Sequence, residues 1–367
     1  MSTGFQPPTP PRLAVRAALA VRSALQKIAD RIVPPYARTI ELAYGYQATM
    51  LLHAAARFRL ADLLDTGPKT AAELAKQIGT VDADALHRTM RALVTHGVFE
   101  LDESGRFRNN RVSETLKMGI PGSMYAWAMY TGSKSNLSAW IDFERTLETG
   151  KNAFERVHGK DCWAYFAEHP EEGEMFNQAM VDLTDLQAPA IAANYPFGTF
   201  KIVCDVAGGR GTLLASILNK HPSVRGWLVD EPHVLEHAGA FLASRGVADR
   251  VDRKPGNMFV EVPRGADAYI LKDILHDWDD ARSLKILENV RRAMDPGKRL
   301  LLVEIVVELN DTQTPGPLID THMMTVTVDG RQRSAADFRR LFERTGFKLE
   351  RIVPTSMPAS VVEASAI

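Results

Sequence analysis

Lys201-Ile202-Val203-Cys204-Asp205-Val206-Ala207-Gly208-Gly209-Arg210-Gly211 runs from a short apolar segment into a glycine turn, and a helical pattern opens at Thr212. An apolar run this short, stopped by glycine, reads as a buried strand. Glycines at the turn let the backbone approach a ligand closely while the helix begins. Downstream, Trp227-Leu228-Val229-Asp230 ends a second strand on an acid, about 20 positions after the turn, where a carboxylate takes ribose hydroxyls. The turn does not match G-x-G-x-x-G, and no Lys-Ser/Thr follows to hold phosphates. Glycines alone are compatible with a packing turn; glycines and acid together read as a cradle for a nucleotide sugar.

A second stretch, Tyr269-Ile270-Leu271-Lys272-Asp273-Ile274-Leu275-His276-Asp277-Trp278-Asp279-Asp280, sets a histidine just beyond another buried strand. Around these two stretches the chain alternates strand and helix. Strands are expected at 201–205, 225–229, 250–254, 266–271, 298–304, 347–353 and 359–364, with helices near 211–220, 231–245, 279–294 and 334–345. This rhythm predicts an α/β fold, a mostly parallel sheet covered on both faces and closed by an antiparallel pair at its C-terminus. Ligands of such sheets sit at the carboxyl ends of the strands, near the switch in strand order. Asp205, Asp230, Asn257, Lys272, His276 and Glu304 all fall near such ends.

The remaining features bound the function. At 367 residues the chain is long enough for two domains. A hydrophobic content of 45% and a charged content of 24% are those of a globular protein, and a formal net charge of -1 supplies no field for a polyanion, so no nucleic-acid partner is expected. Cys162 and Cys204 stand in no metal-like spacing and read as buried reduced thiols. Neither a secretory signal nor an apolar run of the ~18 residues needed to cross a membrane is visible, so a cytoplasmic protein is expected.

Residues 1–11, with Pro-Pro-Thr-Pro-Pro, read as a disordered tail. A basic amphipathic helix over 12–30 is expected to pack on a partner subunit or on the body of the protein rather than on a membrane surface. A helix at about 39–57 is apolar nearly all round and expected to be buried. In residues 70–111, Thr70-Ala71-Ala72-Glu73 offers a capping box, Asp82 caps a longer helix, and Val98 to Arg108 forms a hairpin around Ser104-Gly105. That layout is a winged helix; Asp82 and Asp84 at the would-be reading helix repel phosphates and favour structural or dimer-forming use. Residues 112–195 are expected to be helical, their Trp, Tyr, Phe and Met residues mostly core, with part walling a pocket for a flat apolar substrate. The expected domains are therefore 12–115, a helical winged-helix dimerisation unit; 116–195, a connector lining the substrate pocket; and 196–367, the nucleotide-binding unit.

Within the second unit, Asp205 can accept a hydrogen bond from a cationic ligand or a neighbouring backbone N–H. Asn257 can accept from an adenine amino group, with Met258 or Phe259 covering the ring; a turn asparagine with two core neighbours is the alternative. His276 suits a general base near neutrality, and Glu304 is better placed than Asp277 to orient it. Asp279 and Asp280 read as a helix cap and a first-turn acid rather than as magnesium ligands, so no metal is expected.

Taken together, Asp205 to Gly211, Val229 to Val234, Pro255-Gly256-Asn257-Met258-Phe259, Leu271 to Asp280 and Gly330 to Phe347 resemble the small-molecule O-methyltransferases of the caffeic-acid type, most closely their bacterial branch. The resemblance covers nearly the whole chain. It implies a class I methyltransferase sheet of Rossmann-like form, S-adenosylmethionine as cofactor, no metal, and a homodimer formed through the winged-helix region. It also implies that Gly208 lies against the amino-acid portion of the cofactor and Asp230 holds the ribose. Asn257, Met258 and Glu231 would face the adenosine, and Lys272 would contact the cofactor backbone. His276 would be the base, Glu304 its holder and Gln332 a second contact, while Met180, Trp278 and Met323 would pack on the substrate. Four positions depart from the family pattern: Ala207 replaces Gly, Glu231 replaces Leu, Asn257 replaces Asp, and Gln332 replaces Glu.

The activity so implied is methyl transfer to a phenolic or enolic hydroxyl, yielding S-adenosylhomocysteine. Three other activities fit parts of the pattern. The same fold and cofactor could serve a non-methylating hydroxylation, decarboxylation or rearrangement, for which Asn257 and Gln332 leave room. A winged-helix ligand sensor and a nicotinamide dehydrogenase are the others, the last disfavoured by the glycine spacing.

Overall fold

In a computed structural model, residues 12–311 and 314–367 are described, and the Pro-rich 1–11 segment lies outside them. The described residues divide into two compact units, 22–138 with 166–183, and 12–21 with 139–165 and 184–367.

The first unit realises the capping signals of its sequence. Thr70 and Glu73 form a reciprocal capping box at the start of helix Ala71–Ile78, which Gly79 ends in the left-handed conformation. Asp82 accepts from the Ala85 amide at 2.8 Å and caps helix Ala83–Thr95. Strands β1 (Glu100–Leu101) and β2 (Phe107–Arg108) pair antiparallel as the wing. Leu74, Met90, Leu93, Phe99 and Phe107 fill the core of this unit.

The expectation of one buried helix over 39–57 is corrected. Two helices, Pro35–Ala43 and Gly45–Arg57, replace it; the first buries no residue and the second buries Ala55 and Ala56. Ile40, Leu42, Tyr44 and Tyr46 are exposed. Apolarity in this segment therefore does not mark the core of its own chain.

A seven-stranded sheet forms the second unit. Its strands are β3 (Ile202–Val206), β4 (Arg225–Asp230), β5 (Val251–Pro255), β6 (Ala268–Lys272), β7 (Arg299–Glu304), β8 (Phe347–Pro354) and β9 (Ser360–Ala366), in the order β5-β4-β3-β6-β7-β9-β8. The first five run parallel, while β9 is antiparallel to β7 and to β8. Strand order reverses between β3 and β6, which opens a crevice at their carboxyl ends. Side chains alternate between two buried layers: Val203, Ile270, Leu301 and Val303 on one face, Cys204, Leu271, Leu300 and Leu302 on the other. Each such Leu, Ile or Val contributes roughly 1.5–3 kcal/mol on burial, so the sheet is a rigid platform for whatever its strand ends carry.

One helix, Gly316–Val326, has no counterpart in the sequence reading. It starts at Pro315-Gly316-Pro317 and ends in a Thr/Val-rich run, both of which suppress a helical signal. No helix among the described residues is long and apolar enough to cross a membrane.

Candidate active site

The glycine turn leaves β3 with Ala207 at φ 55°, a left-handed conformation that the family's usual glycine would adopt without cost. Gly208 packs so closely that a Cβ would lie 2.6 Å from Asp205 Cγ and 2.6 Å from Leu228 Cδ1. Asp205 is buried, and its Oδ2 has no hydrogen-bond partner. Burial pushes its carboxyl up to about 7 although Lys272 works against the shift. Asp230, at the end of β4, is tied down: Oδ2 accepts from the Gly209 amide and Oδ1 from the Glu231 amide, each at 2.8 Å. Burial raises this carboxyl despite the two donors.

Beyond β5 the asparagine is committed on both arms. Asn257 Oδ1 accepts from the Phe259 amide at 2.8 Å, and Nδ2 donates to Glu231 Oε1 at 3.0 Å. The acceptor expected of Asn257 is thus engaged by its own turn, and a carboxylate, Glu231, stands beside it. Met258 is partly buried, its carbonyl accepting from Asn289 Nδ2 at 2.8 Å. Lys272 ends β6 and pairs with Asp273, which holds φ 53°.

His276 sits on a single 3-10 turn, Leu275–Asp277, immediately after that strand. Its Nδ1 lies 3.0 Å from Gln332 Nε2 and 3.4 Å from Glu304 Oε2. Its Nε2 lies 3.6 Å from Asp277 Oδ1. Glu304, at the end of β7, accepts from the Ile274 and Leu275 amides on Oε1 at 3.2 and 3.0 Å, while Oε2 has no hydrogen bond. Gln332 Oε1 is likewise buried without a partner. Burial alone would push the imidazole down; Glu304, Asp277 and Asp273 outweigh it and hold His276 above its ordinary value. Burial raises Glu304, and pushes Asp277 up to about 7. The sheet thus brings His276, Glu304 and Gln332 together from three separate segments.

Asp279 caps helix Asp280–Ala293 through the Arg282 amide at 2.8 Å, and Asp280 pairs with Arg333 at 2.8 Å. A different trio, Asp273, His276 and Glu304, presents ligand-type atoms within 4.8 Å of one another. The ammonium of Lys272 already neutralises Asp273 within it.

Of the expected substrate contacts, Trp278 stacks on Trp163 at 6.0 Å and meets the edge of Phe259 at 4.8 Å. Met323 is buried on helix Gly316–Val326. Met180 belongs to the first unit, in a cluster with Tyr130, Phe166 and Phe176. Sequence reasoning missed His322, next to Met323. It stacks on Trp140 at 6.1 Å and accepts from the indole N–H at 3.4 Å. Burial, helped by His276, pushes its imidazole down to about 4, so it stays neutral. A lone histidine in an unpredicted helix offered no spacing to flag it.

Comparison with known proteins places this geometry. An O-methyltransferase domain matches residues 136–348, and an O-methyltransferase dimerisation domain matches residues 40–118. The phenazine O-methyltransferase PhzM of Lysobacter antibioticus is 40% identical over 335 residues, 91% of this chain and 97% of that protein. The chain belongs to the O-methyltransferase family. The O-methyltransferase fold is matched along most of the chain by the crystal structure of LaPhzM, at a TM-score of 0.88 and 40% identity over 91% of this chain and 100% of that one. CalO1, a methyltransferase in calicheamicin biosynthesis, matches in its SAH-bound form at a TM-score of 0.79 and 31% identity, covering 91% of this chain and 100% of that one. The protein is therefore an S-adenosylmethionine-dependent methyltransferase of the secondary-metabolite type. Its residues fit that cofactor: Asp205 keeps a buried, unpartnered carboxylate oxygen, and Gly208 lines a cradle that a Cβ would fill.

Proposed function

We propose that this O-methyltransferase methylates a phenolic or enolic hydroxyl of a small aromatic or polyketide-like metabolite, with His276 as general base and without a metal. The supporting observation is the surroundings of His276 Nδ1. Two buried acceptors without other partners, Glu304 Oε2 and Gln332 Oε1, belong to groups on that side of the ring. The two ends of an amide are alike in shape, so turning the Gln332 amide end for end presents Oε1 to Nδ1. A proton on Nδ1 satisfies these acceptors, and Nε2 then carries the lone pair that accepts a hydroxyl proton.

S-adenosylmethionine supplies an electrophilic methyl group on a sulfonium. Asp230 would take the ribose hydroxyls, and Glu231, Asn257 and Met258 would face the adenosine. Gly208, Asp205 and Lys272 would receive the polar amino-acid end, where the spare oxygen of Asp205 suits an ammonium. A phenol near pKa 10 is within reach of a positioned imidazole, and Glu304 stabilises the imidazolium that forms. An oxyanion meeting a sulfonium loses charge on reaction, so no Lewis acid is required; the remaining contribution is proximity and exclusion of water. Trp278 and Met323 would pack on the flat substrate. Exposed Ile40, Leu42, Tyr44 and Tyr46, within the matched dimerisation region, fit burial against a second copy in a homodimer.

The test combines calorimetric titration of S-adenosylmethionine and S-adenosylhomocysteine with mass spectrometry of phenols and polyketides for the gain of one methyl. His276→Ala should lose most turnover and keep cofactor affinity. Near-normal turnover in that variant sinks the base assignment. It would point instead to an arylamine acceptor, which is nucleophilic at neutral pH without a base.

A further inference from the structure

Arg333 is the largest fully buried side chain among the described residues, and the methyl-transfer chemistry leaves it without a role. Its guanidinium donates to the carbonyl of Leu275, to the carbonyl of Trp278 at 2.9 Å, to Ser283 Oγ at 3.0 Å and to Asp280 Oδ1 at 2.8 Å. Leu275 and Trp278 flank the short turn that carries His276. The two carbonyls between them are held by the backbone of the same segment: His276 O accepts from the Arg331 amide at 2.8 Å, and Asp277 O from the Val328 amide at 3.1 Å. Four consecutive carbonyls, 275 to 278, thus face one strap. Gly330 passes so near that a Cβ there would stand 2.3 Å from the His276 carbonyl oxygen.

A buried guanidinium is a costly way to hold a loop. Desolvating it offsets most of what one half-exposed carboxylate, Asp280, returns, so stability alone does not account for it. What the planar fork adds is geometry: it can reach two carbonyls on different residues at once, which a lysine ammonium on a flexible stem does poorly. It also places a positive charge near Glu304, where it opposes the effect of burial on that carboxyl.

The geometry points to Arg333 as a positioning residue for His276, fixing the imidazole against Glu304 by gripping the carbonyls on either side of its turn. The inference rests on the reading of His276 as the base. It is tested without relying on methyl transfer, so the two can fail separately.

The experiment is a histidine ring-carbon NMR titration of the full-length protein, wild type against Arg333→Met, Arg333→Lys and Asp280→Asn, alongside S-adenosylhomocysteine calorimetry and thermal melting. Glu304, Asp277, Asp273, Lys272, Gln332 and His322 surround His276, and the first three hold its titration high. Loosening the turn weakens these contacts and leaves burial to act. The His276 midpoint should therefore fall by about one unit in Arg333→Met, and by less in Arg333→Lys. Asp280→Asn, which keeps the guanidinium and both carbonyl bonds, should titrate as wild type. If Arg333→Met does not fold, Arg333→Lys decides alone. A midpoint within about 0.2 units of wild type in folded Arg333→Met, or in Arg333→Lys where the Met variant does not fold, overturns the proposal and leaves Arg333 a structural residue. Absence of S-adenosylhomocysteine binding by the wild type would overturn the cofactor assignments instead, whatever the titration shows.

Discussion

Glu304 Oε2 stands 3.4 Å from His276 Nδ1 and has no hydrogen bond of its own, while the other oxygen of that carboxylate is held by two backbone amides. The carboxylate is therefore fixed by the chain and aimed by default. Glu304→Gln keeps the shape and removes the charge. Its oxygen will stay with the Ile274 and Leu275 amides, so its NH2 faces Nδ1 and forces the proton onto Nε2. Turnover should drop by about 10²–10⁴-fold, with cofactor affinity within a factor of about three. Steady-state kinetics and calorimetry on the same preparation check both.

Gln332→Glu places a second carboxylate against the imidazole. A nearby anion favours the protonated ring, so the neutral, base-competent form emerges at higher pH. The acidic limb of the pH–rate profile should move upward. An unmoved limb would show that Gln332 does not face His276 in the working enzyme.

Asp205 and Asp277 are both pushed up to about 7 by burial. The folded protein keeps these protons where the unfolded chain, with an ordinary aspartate value, has released them. Stability of the ligand-free protein should therefore fall as pH rises from about 4 to about 7 and level off above that, by an upper bound on the order of 4 kcal/mol per group. Denaturant melts across this range measure it. An ammonium brought to Asp205 lowers its pKa, so cofactor binding near pH 7 should release part of a proton. Calorimetry in buffers of different ionisation enthalpy will detect the release, and Asp205→Asn should abolish it.

Ala207 adopts φ 55° at the tip of the glycine turn. Ala207→Gly relieves a strain of about 1 kcal/mol and gives back roughly half or more of it in chain entropy, so a rise of at most about 0.5 kcal/mol is expected by denaturation. Gly208→Ala is the opposite case. Its methyl group would strike Asp205 and Leu228, both buried, and should weaken cofactor binding at least tenfold, about 1.4 kcal/mol.

Asp230 accepts the Gly209 and Glu231 amides that join the first two loops of the cradle. Asp230→Ala should abolish cofactor binding measurable by calorimetry, with the sheet intact by far-UV circular dichroism. Unchanged affinity would relocate the nucleoside site.

Local sequence settled the units that local physics can settle. The inner parallel strands β3, β6 and β7 lay in apolar runs of the right length, the turn at 207–211 in its glycines, and the caps at Thr70 and Asp82 in side chains that bond their own helix. The strand-end position of Asp205, Asp230, His276 and Glu304 followed from strand rhythm and the rule that ligands sit at carboxyl ends. Tertiary structure decided what depends on segments far apart in the chain. Glu304 and Gln332 reach His276 only because β6 and β7 are neighbours and the strap at 328–333 crosses the turn. Asn257 reads as an acceptor in the sequence, and only the fold shows that its Oδ1 also takes the Phe259 amide. His322 became visible only when its helix stacked it on Trp140. The apolar helices at 35–57 show the limit most clearly: hydrophobicity says that a surface leaves water, and not whether its own chain or another covers it.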